Sequence, residues 1–225
     1  MSLVLKQFNN DITTWVSLRW LLVISLIALN QGCSLFGGDD EDESLLPAEL
    51  IEFTETVDVD QRWKASVGKG HEGLGIALNP TTDGETIYAA SFNGNVIAIN
   101  AKTGRKVWKQ SFDFSFTAGP TYKDGTLVLG TNNGELINID SMTGEILWTT
   151  TVSSEILAPV AIKNDQIFVR SVDGNLAAFL SDNGSLMWTA NHKVPRLSLR
   201  GTTSPEIFAN AVLSGFDDGK VSAYD

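Results

Sequence analysis

The alternation of apolar and polar residues predicts short β-strands along the chain after residue 58. "TIYAAS" (86–91) is rich in β-branched and aromatic residues, and the "NG" soon after it indicates a tight turn. "NVIAIN" (95–100) alternates apolar and polar positions, which predicts a strand that is buried on one face. "AKTG" (101–104) then turns the chain into a last strand at "RKVW" (105–108).

The same set of strands recurs at a fixed period. The repeated segments are "TIYAASFNGNVIAINAKTGRKVWKQ" (86–110), "TLVLGTNNGELINIDSMTGEILWTT" (126–150) and "QIFVRSVDGNLAAFLSDNGSLMWTA" (166–190). Their landmarks lie 40 residues apart: Gly94, Gly134 and Gly174; Gly104, Gly144 and Gly184; Trp108, Trp148 and Trp188. A further short strand is expected around Pro80, Pro120, Pro159 and Pro205. Four antiparallel strands per repeat of this length are typical of β-propeller blades, so the predicted fold class is all-β.

The recurring tryptophans and glycines are interpreted as structural. Trp63, Trp108, Trp148 and Trp188 are predicted to pack between neighbouring blades, where each would bury ~150–250 Å². The glycines suit tight turns, and none belongs to a phosphate-binding loop that opens a helix. The repeats lack the Gly-His and Trp-Asp pairs of WD repeats, and they resemble the PQQ-type blades of quinoprotein-like propellers.

The repeats account for about four blades. The sequence around Trp63 predicts a single orphan strand, which is followed by three whole blades and most of a fourth that stops at Asp225. Propellers typically have 4–8 blades, and an open ring would leave unpaired strand edges. We therefore expect the sequence to be a C-terminally truncated fragment of a longer propeller.

The segment before the repeats predicts a membrane-anchored lipoprotein. The apolar run "WLLVISLIALN" (20–30) is too short to span a bilayer, which takes about 20 helical residues, and suits a secretory signal better than the alternative of a short membrane anchor. Gly32-Cys33 resembles a lipobox, which implies a signal peptide at 1–32 and lipidation of Cys33. Ser34 then implies transfer to the outer membrane, facing the periplasm. An acidic flexible tether is predicted for 33–57, and a partial propeller for 58–225.

Charge and composition narrow the possible functions. The net charge of −11 disfavours nucleic-acid binding, which needs a basic face. A single Cys permits no internal disulfide. His71 and His192 have no ligand-spaced partners, so both are predicted to be exposed loop residues. We expect neither a metal nor a cofactor.

The period lengthens before the first repeat, where Trp63 to Gly94 spans 31 residues, and again after the third repeat. Trp108 to Gly134 and Trp148 to Gly174 both span 26 residues, whereas Trp188 to Gly219 spans 31. The five additional residues fall within "NHKVPRLSLRGTTSPEIFAN" (191–210). Insertions in blade connections emerge on one rim of a propeller, where partners bind.

These features together resemble one family. "GCSLF" (32–36), the acidic tether, the PQQ-like blades and "PRLSLRGTTSPEIFANAVLSGFDDGKVSA" (195–223) are similar to the BamB family, the propeller lipoproteins of the β-barrel assembly machinery. The resemblance implies an eight-bladed propeller and a non-enzymatic scaffold. It implies binding to the POTRA domains of BamA and assistance to unfolded outer-membrane protein clients. It places the BamA contacts on Leu197, Leu199 and Arg200.

Other interpretations of these residues are open. Without the resemblance, Leu197 and Leu199 are expected to pack inward and Arg200 to pair with a carboxylate. A PQQ-dependent dehydrogenase would share the blade type, but it needs a quinone, usually a calcium site, and a catalytic Asp. The sequence has no adjacent pair of cysteines, and acids such as Asp217 and Asp218 are predicted at hairpin tips. A ligand-sensing propeller is a third possibility.

Overall fold

A computed structural model of the chain describes residues 51–69, 76, 78–195 and 203–225. The chain divides into two compact units, 1–58 and 59–225. In the first unit, the described residues 51–58 contain no strand or helix. Within the described ranges, no helix is long and apolar enough to cross a membrane. All fifteen described strands lie in the second unit.

The strands form four antiparallel sheets, which we number as blades 1 to 4. Blade 1 contains β1 (Thr81–Thr82), β2 (Thr86–Ala90), β3 (Asn95–Asn100) and β4 (Lys106–Ser111); blade 2 contains β5 (Phe116–Lys123), β6 (Thr126–Thr131), β7 (Glu135–Asp140) and β8 (Ile146–Thr151). Blade 3 contains β9 (Ala161–Lys163), β10 (Gln166–Arg170), β11 (Asn175–Leu180) and β12 (Leu186–Asn191); blade 4 contains β13 (Glu206–Phe208), β14 (Ala211–Gly215) and β15 (Val221–Tyr224). Three sheets have four strands and the last has three, each paired in sequence order. The predicted all-β fold of four-stranded blades is confirmed.

The third strand of each complete blade is buried on both faces. All four inner residues of β3, from Val96 to Ile99, are at most 5% exposed, and β7 and β11 have the same burial pattern. The prediction that "NVIAIN" is buried on one face only was therefore wrong. A middle strand of a stacked blade has protein on both sides, so even its outward-alternating positions lie in a core.

The hydrophobic core is a series of apolar layers between neighbouring blades. Val96 and Ala98 of blade 1 pack with Ile137 and Ile139 of blade 2. The opposite face of blade 2 packs against β10 and β11 of blade 3, and Phe168 with its neighbours packs against Val212 of blade 4. Burial of apolar surface against the next repeat is what stabilises stacked units of this kind.

The segment around Trp63 contains no strand. Residues 59–69 have irregular backbone, so the orphan strand predicted there was wrong. A strand needs a hydrogen-bonded neighbour, and none of the described strands pairs with this segment. Trp63 is nevertheless held against blade 1, because its indole N–H donates to the carbonyl of Ala101 at 3.0 Å.

Candidate functional site

One edge of the second unit carries both the links between blades and the turns between second and third strands. Antiparallel strands alternate in direction, so these connections share an edge, which we call the rim. Link 1 comprises residues 112–115, link 2 residues 152–160 and link 3 residues 192–205. Link 3 contains the predicted docking residues Leu197, Leu199 and Arg200, which lie outside the described residues. Cys33 and His71 also lie outside them.

Link 2 packs into the core at the junction of blades 2 and 3. Ile156 is fully buried there and lies against Gly130, where a Cβ atom on the glycine would collide with the Ile156 Cγ2 atom. The Thr117 hydroxyl donates to the carbonyl of Ile156 at 2.6 Å, and the Ile156 N–H donates to the carbonyl of Thr131 at 3.0 Å. Glycine at position 130 thus makes room for the link to fold inward.

The next junction has a buried ion pair at the corresponding place. Arg170 is 40 residues after Gly130, at the end of β10, and its side chain is only 2% exposed. Its Nη2 atom lies 3.2 Å from the Asp217 carboxylate, in the turn between β14 and β15. The guanidinium also lies 5.5 Å from the centre of the Phe216 ring, within the range of a cation–π contact. In blade 3, arginine therefore occupies the position at which glycine makes space for Ile156 in blade 2.

Link 3 begins at a residue that is fixed to two blades. The His192 N–H donates to the carbonyl of Gly174 in blade 3 at 3.0 Å. In blade 4, its imidazole stacks on Phe216 with the ring centres 4.0 Å apart and the planes 14° apart. The His192 Nε2 atom also lies 3.0 Å from the Asp218 carboxylate. His192 lies in a loop as predicted, but the prediction that it is exposed was wrong, because its side chain is 18% exposed and has a partner.

Asp217 and Asp218 lie in the β14–β15 turn, where the sequence predicted a hairpin tip. Both carboxylates are engaged by cations or by the imidazole rather than projecting freely. Lys220 contacts Asp218 at 2.7 Å, and this hydrogen bond, followed by that of His192, holds the pKa of Asp218 well below its usual range. We call Arg170, His192, Phe216, Asp217 and Asp218 the rim cluster.

Arg170 and Phe216 were not identified from the sequence, although a comparison of equivalent positions in the repeats contained a signal for both. Counting 40 residues forward from Ala90 reaches Gly130 and then Arg170, so a charged residue follows two small ones at one position in the blade. The turn residues Ser91, Thr131 and Ser171 carry hydroxyl groups, whereas Phe216 fills that place in blade 4. A departure from the repeat at a buried position indicates a local change in packing.

The repeated tryptophans lie between blades. The indole N–H of Trp108 donates to the carbonyl of Ser141, and that of Trp148 donates to the carbonyl of Ser181, both at 2.9 Å. A Cβ on Gly144 would lie 2.8 Å from the Trp108 ring, and the positive φ of Gly144, 76°, also favours glycine. Trp188 packs against Tyr224, with ring centres 6.1 Å apart. Each indole thus joins its own blade to the following one.

A groove of about 340 Å³ lies between blades 2 and 3. The lining residue Asn175 donates to Ser153, also in the lining, at 2.7 Å and to the nearby Asp173 at 2.8 Å. Burial opposes ionisation of Asp173, but hydrogen bonds from Ser153, Ser171 and Asn175 lower its pKa overall. No group of three His, Cys, Asp or Glu side chains that could hold a metal occurs in the part of the chain that the structure describes.

Stacked four-stranded blades, with turn glycines and a tryptophan between neighbours, define the class of PQQ-like β-propellers. A family model described as "Outer membrane protein assembly factor BamB" matches residues 57–111 and 93–225. The chain belongs to the BamB family.

Two curated relatives match most of the chain. The outer membrane protein assembly factor BamB of Pseudomonas aeruginosa is 55% identical over 205 residues, which cover 91% of this chain and 52% of the relative. The BamB of Legionella pneumophila is 48% identical over 210 residues, which cover 91% of this chain and 54% of the relative. The chain therefore spans about half the length of these relatives.

Solved structures agree with the fold. The crystal structure of BamB from Moraxella catarrhalis is similar, with a TM-score of 0.62 and 29% identity over 68% of this chain and 46% of the solved one. The computationally designed Ika4 protein has a TM-score of 0.57 and 21% identity over 69% of this chain and 94% of its own. The second likeness concerns the fold alone.

Proposed function

We propose that the chain belongs to a non-enzymatic scaffold lipoprotein of the β-barrel assembly machinery. In this proposal it binds the POTRA domains of BamA and assists the assembly of unfolded outer-membrane protein clients. Membership of a family named for outer membrane protein assembly is the observation that carries the proposal.

The docking residues in this proposal are Leu197, Leu199 and Arg200 of link 3. Two leucines separated by one residue can project to the same side of an extended segment and act as apolar anchors. Arginine adds a planar fork of donors that suits a carboxylate on the partner. The link begins at His192, which contacts Asp218 on the edge where the blade connections lie. Support for these residues comes from the sequence resemblance and from this position in the chain.

Co-purification of BamA with the full-length protein tests the docking residues. The variant carries Leu197→Ala, Leu199→Ala and Arg200→Ala together, and we expect at least about a tenfold loss of bound BamA, since a few central anchors carry most binding energy. A matched control replaces two exposed apolar residues and one exposed arginine elsewhere, by Val107→Ala, Leu147→Ala and Arg105→Ala. Undiminished binding by the link 3 variant, with an unchanged circular dichroism spectrum, would contradict the assignment.

The proposal also includes a lipid anchor at Cys33 that holds the protein on the periplasmic side of the outer membrane. Acyl chains contribute about 0.8 kcal/mol per buried methylene, so a multiply acylated cysteine gives firm attachment. Cys33→Ser should abolish incorporation of labelled palmitate and release the protein from the membrane fraction. Ser34→Asp should keep the label but move the protein to the inner membrane. Retention of the label in the Cys33→Ser variant would disprove lipidation at this residue.

The absence of an enzymatic activity is part of the proposal. The curated relatives are named as assembly factors, which supports a scaffold over a quinone-dependent dehydrogenase. An absorption spectrum of the purified full-length protein tests this point directly. A quinone band that is retained through purification, together with alcohol oxidation, would favour the dehydrogenase instead.

A further inference from the structure

The first residue of link 3 has a polar side-chain anchor, whereas the first residues of links 1 and 2 are apolar. All three links start with the same backbone bond: Phe112, Val152 and His192 each donate their N–H to a turn glycine carbonyl, at 2.9, 2.8 and 3.0 Å. Phe112 and Val152 are apolar and pack on neighbouring core residues. These apolar contacts include residues of the following blade, such as Phe116, whose ring centre lies 6.2 Å from that of Phe112. His192 differs because it adds a polar contact, to the Asp218 carboxylate at 3.0 Å, to its stacking on Phe216 in the following blade.

The turn that His192 contacts is itself contacted by Arg170. Arg170 contacts Asp217 at 3.2 Å and approaches the ring of Phe216, so one buried guanidinium braces the turn on which His192 rests. Phe216 is 7% exposed, and its ring lies near both the His192 imidazole and the Arg170 guanidinium. Charge-assisted hydrogen bonds with little solvent contact are stronger than exposed ones, so the turn has a defined position.

We propose that the rim cluster positions link 3 for partner binding. Arg170 replaces the glycine that lets link 2 fold into the core, and His192 fixes the direction in which link 3 leaves β12. The five residues are positioning residues: they act through the link and need not touch the partner. This inference rests on the proposed function, because it concerns the link that carries Leu197, Leu199 and Arg200.

The principal test compares His192→Ala with Val152→Ala in the full-length protein. Val152 holds the equivalent place in link 2, so its replacement controls for the general effect of shortening the first side chain of a link. Binding of purified BamA POTRA domains is measured by titration. We expect about tenfold weaker binding for His192→Ala, as for the loss of a charge-assisted hydrogen bond and a ring contact, and no change for Val152→Ala. His192→Gln keeps a donor for Asp218 and should lose less affinity than the alanine variant.

Limited proteolysis tests the same inference without any partner. Trypsin can cleave after Lys193 and Arg196, which follow His192 by one and four residues in the sequence of link 3. Cleavage there should be several-fold faster in His192→Ala than in the wild type or in Val152→Ala, because opening of the local structure exposes the link. Circular dichroism establishes that each variant is folded, and His192→Gln serves if the alanine variant is not.

The outcomes separate the inference from the function on which it rests. If the wild type does not bind the POTRA domains, the proposed function fails, and the proteolysis rates still decide whether the rim cluster holds the link. If the triple alanine variant of link 3 loses binding while folded His192→Ala retains wild-type affinity and wild-type cleavage, the positioning role is overturned. Equal losses in His192→Ala and Val152→Ala would also overturn it, since they would show a general structural effect.

Discussion

The junction between blades 2 and 3 and the junction between blades 3 and 4 connect similar sheets by different chemistry. At the first, Gly130 leaves a space that Ile156 fills, and link 2 becomes part of the core. At the second, Arg170 and Asp217 form a buried ion pair at the rim. The repeat therefore keeps its strands and tryptophans while the chemistry of one junction changes.

The difference shows that one junction of a repeat can change its chemistry while the strands stay the same. The apolar junction is stabilised by burying link 2, whereas at the next junction the corresponding place is taken by an ion pair whose two members both belong to the blades. Link 3 is also the longer one, by the five residues that break the period. The junction between blades 3 and 4 thus differs from the repeat in two ways, in the length of its link and in the residue at position 170.

The largest expected effect comes from breaking the ion pair on one side. Asp217→Ala leaves the Arg170 guanidinium, 2% exposed, without its carboxylate, and we expect a loss of about 3 kcal/mol in the free energy of unfolding. The double variant Arg170→Met with Asp217→Ala should recover most of that loss, because no unpaired charge remains. Urea unfolding of the full-length protein measures both. A double variant that is no more stable than Asp217→Ala would show that the pair is not what holds this junction.

The comparison also shows what the sequence could predict. The 40-residue period located three blades, the interblade positions of Trp108 and Trp148, and the turn that contains Asp217 and Asp218. Local patterns identify strands because each strand needs its own β-forming residues and turn. The period also singled out link 3 by its unusual length, since spacing along the chain needs no knowledge of contacts.

Contacts between repeats were harder to predict. Alternation within "NVIAIN" cannot show that both faces meet neighbouring blades. The absence of partners near His192 in the sequence cannot show that Phe216 and Asp218, 24 and 26 residues further on, contact it. The strand expected near Trp63 failed for the same reason, since strand formation depends on a partner that local sequence does not specify. Position 170 was informative only when compared with Gly130.

A substitution at Gly130 is expected to have an intermediate effect on stability, and it tests the apolar junction between blades 2 and 3. In Gly130→Ala the new Cβ would collide with the Ile156 side chain, so the core must shift, and we expect a loss of about 1–3 kcal/mol. The matched control is Gly215→Ala, at the corresponding place in blade 4, where the nearest atom to a new Cβ is in Thr203 at 3.5 Å. Urea unfolding should show little change for the control. Equal stability losses in the two variants would mean that the space at Gly130 is not specific to link 2.

The smallest effect concerns the hydrogen bond that ties link 2 to β5. Thr117→Val removes the hydroxyl that donates to the Ile156 carbonyl at 2.6 Å, and a loss of about 1 kcal/mol is expected. Thr121→Val is the control, because the Thr121 hydroxyl contacts the Val160 carbonyl at the longer distance of 3.3 Å. Hydrogen exchange at the Ile156 amide should quicken in Thr117→Val and remain closer to the wild type in Thr121→Val. If exchange is unchanged in Thr117→Val, apolar packing of Ile156 against Gly130 suffices to hold link 2, and the contrast with the polar junction at Arg170 becomes sharper still.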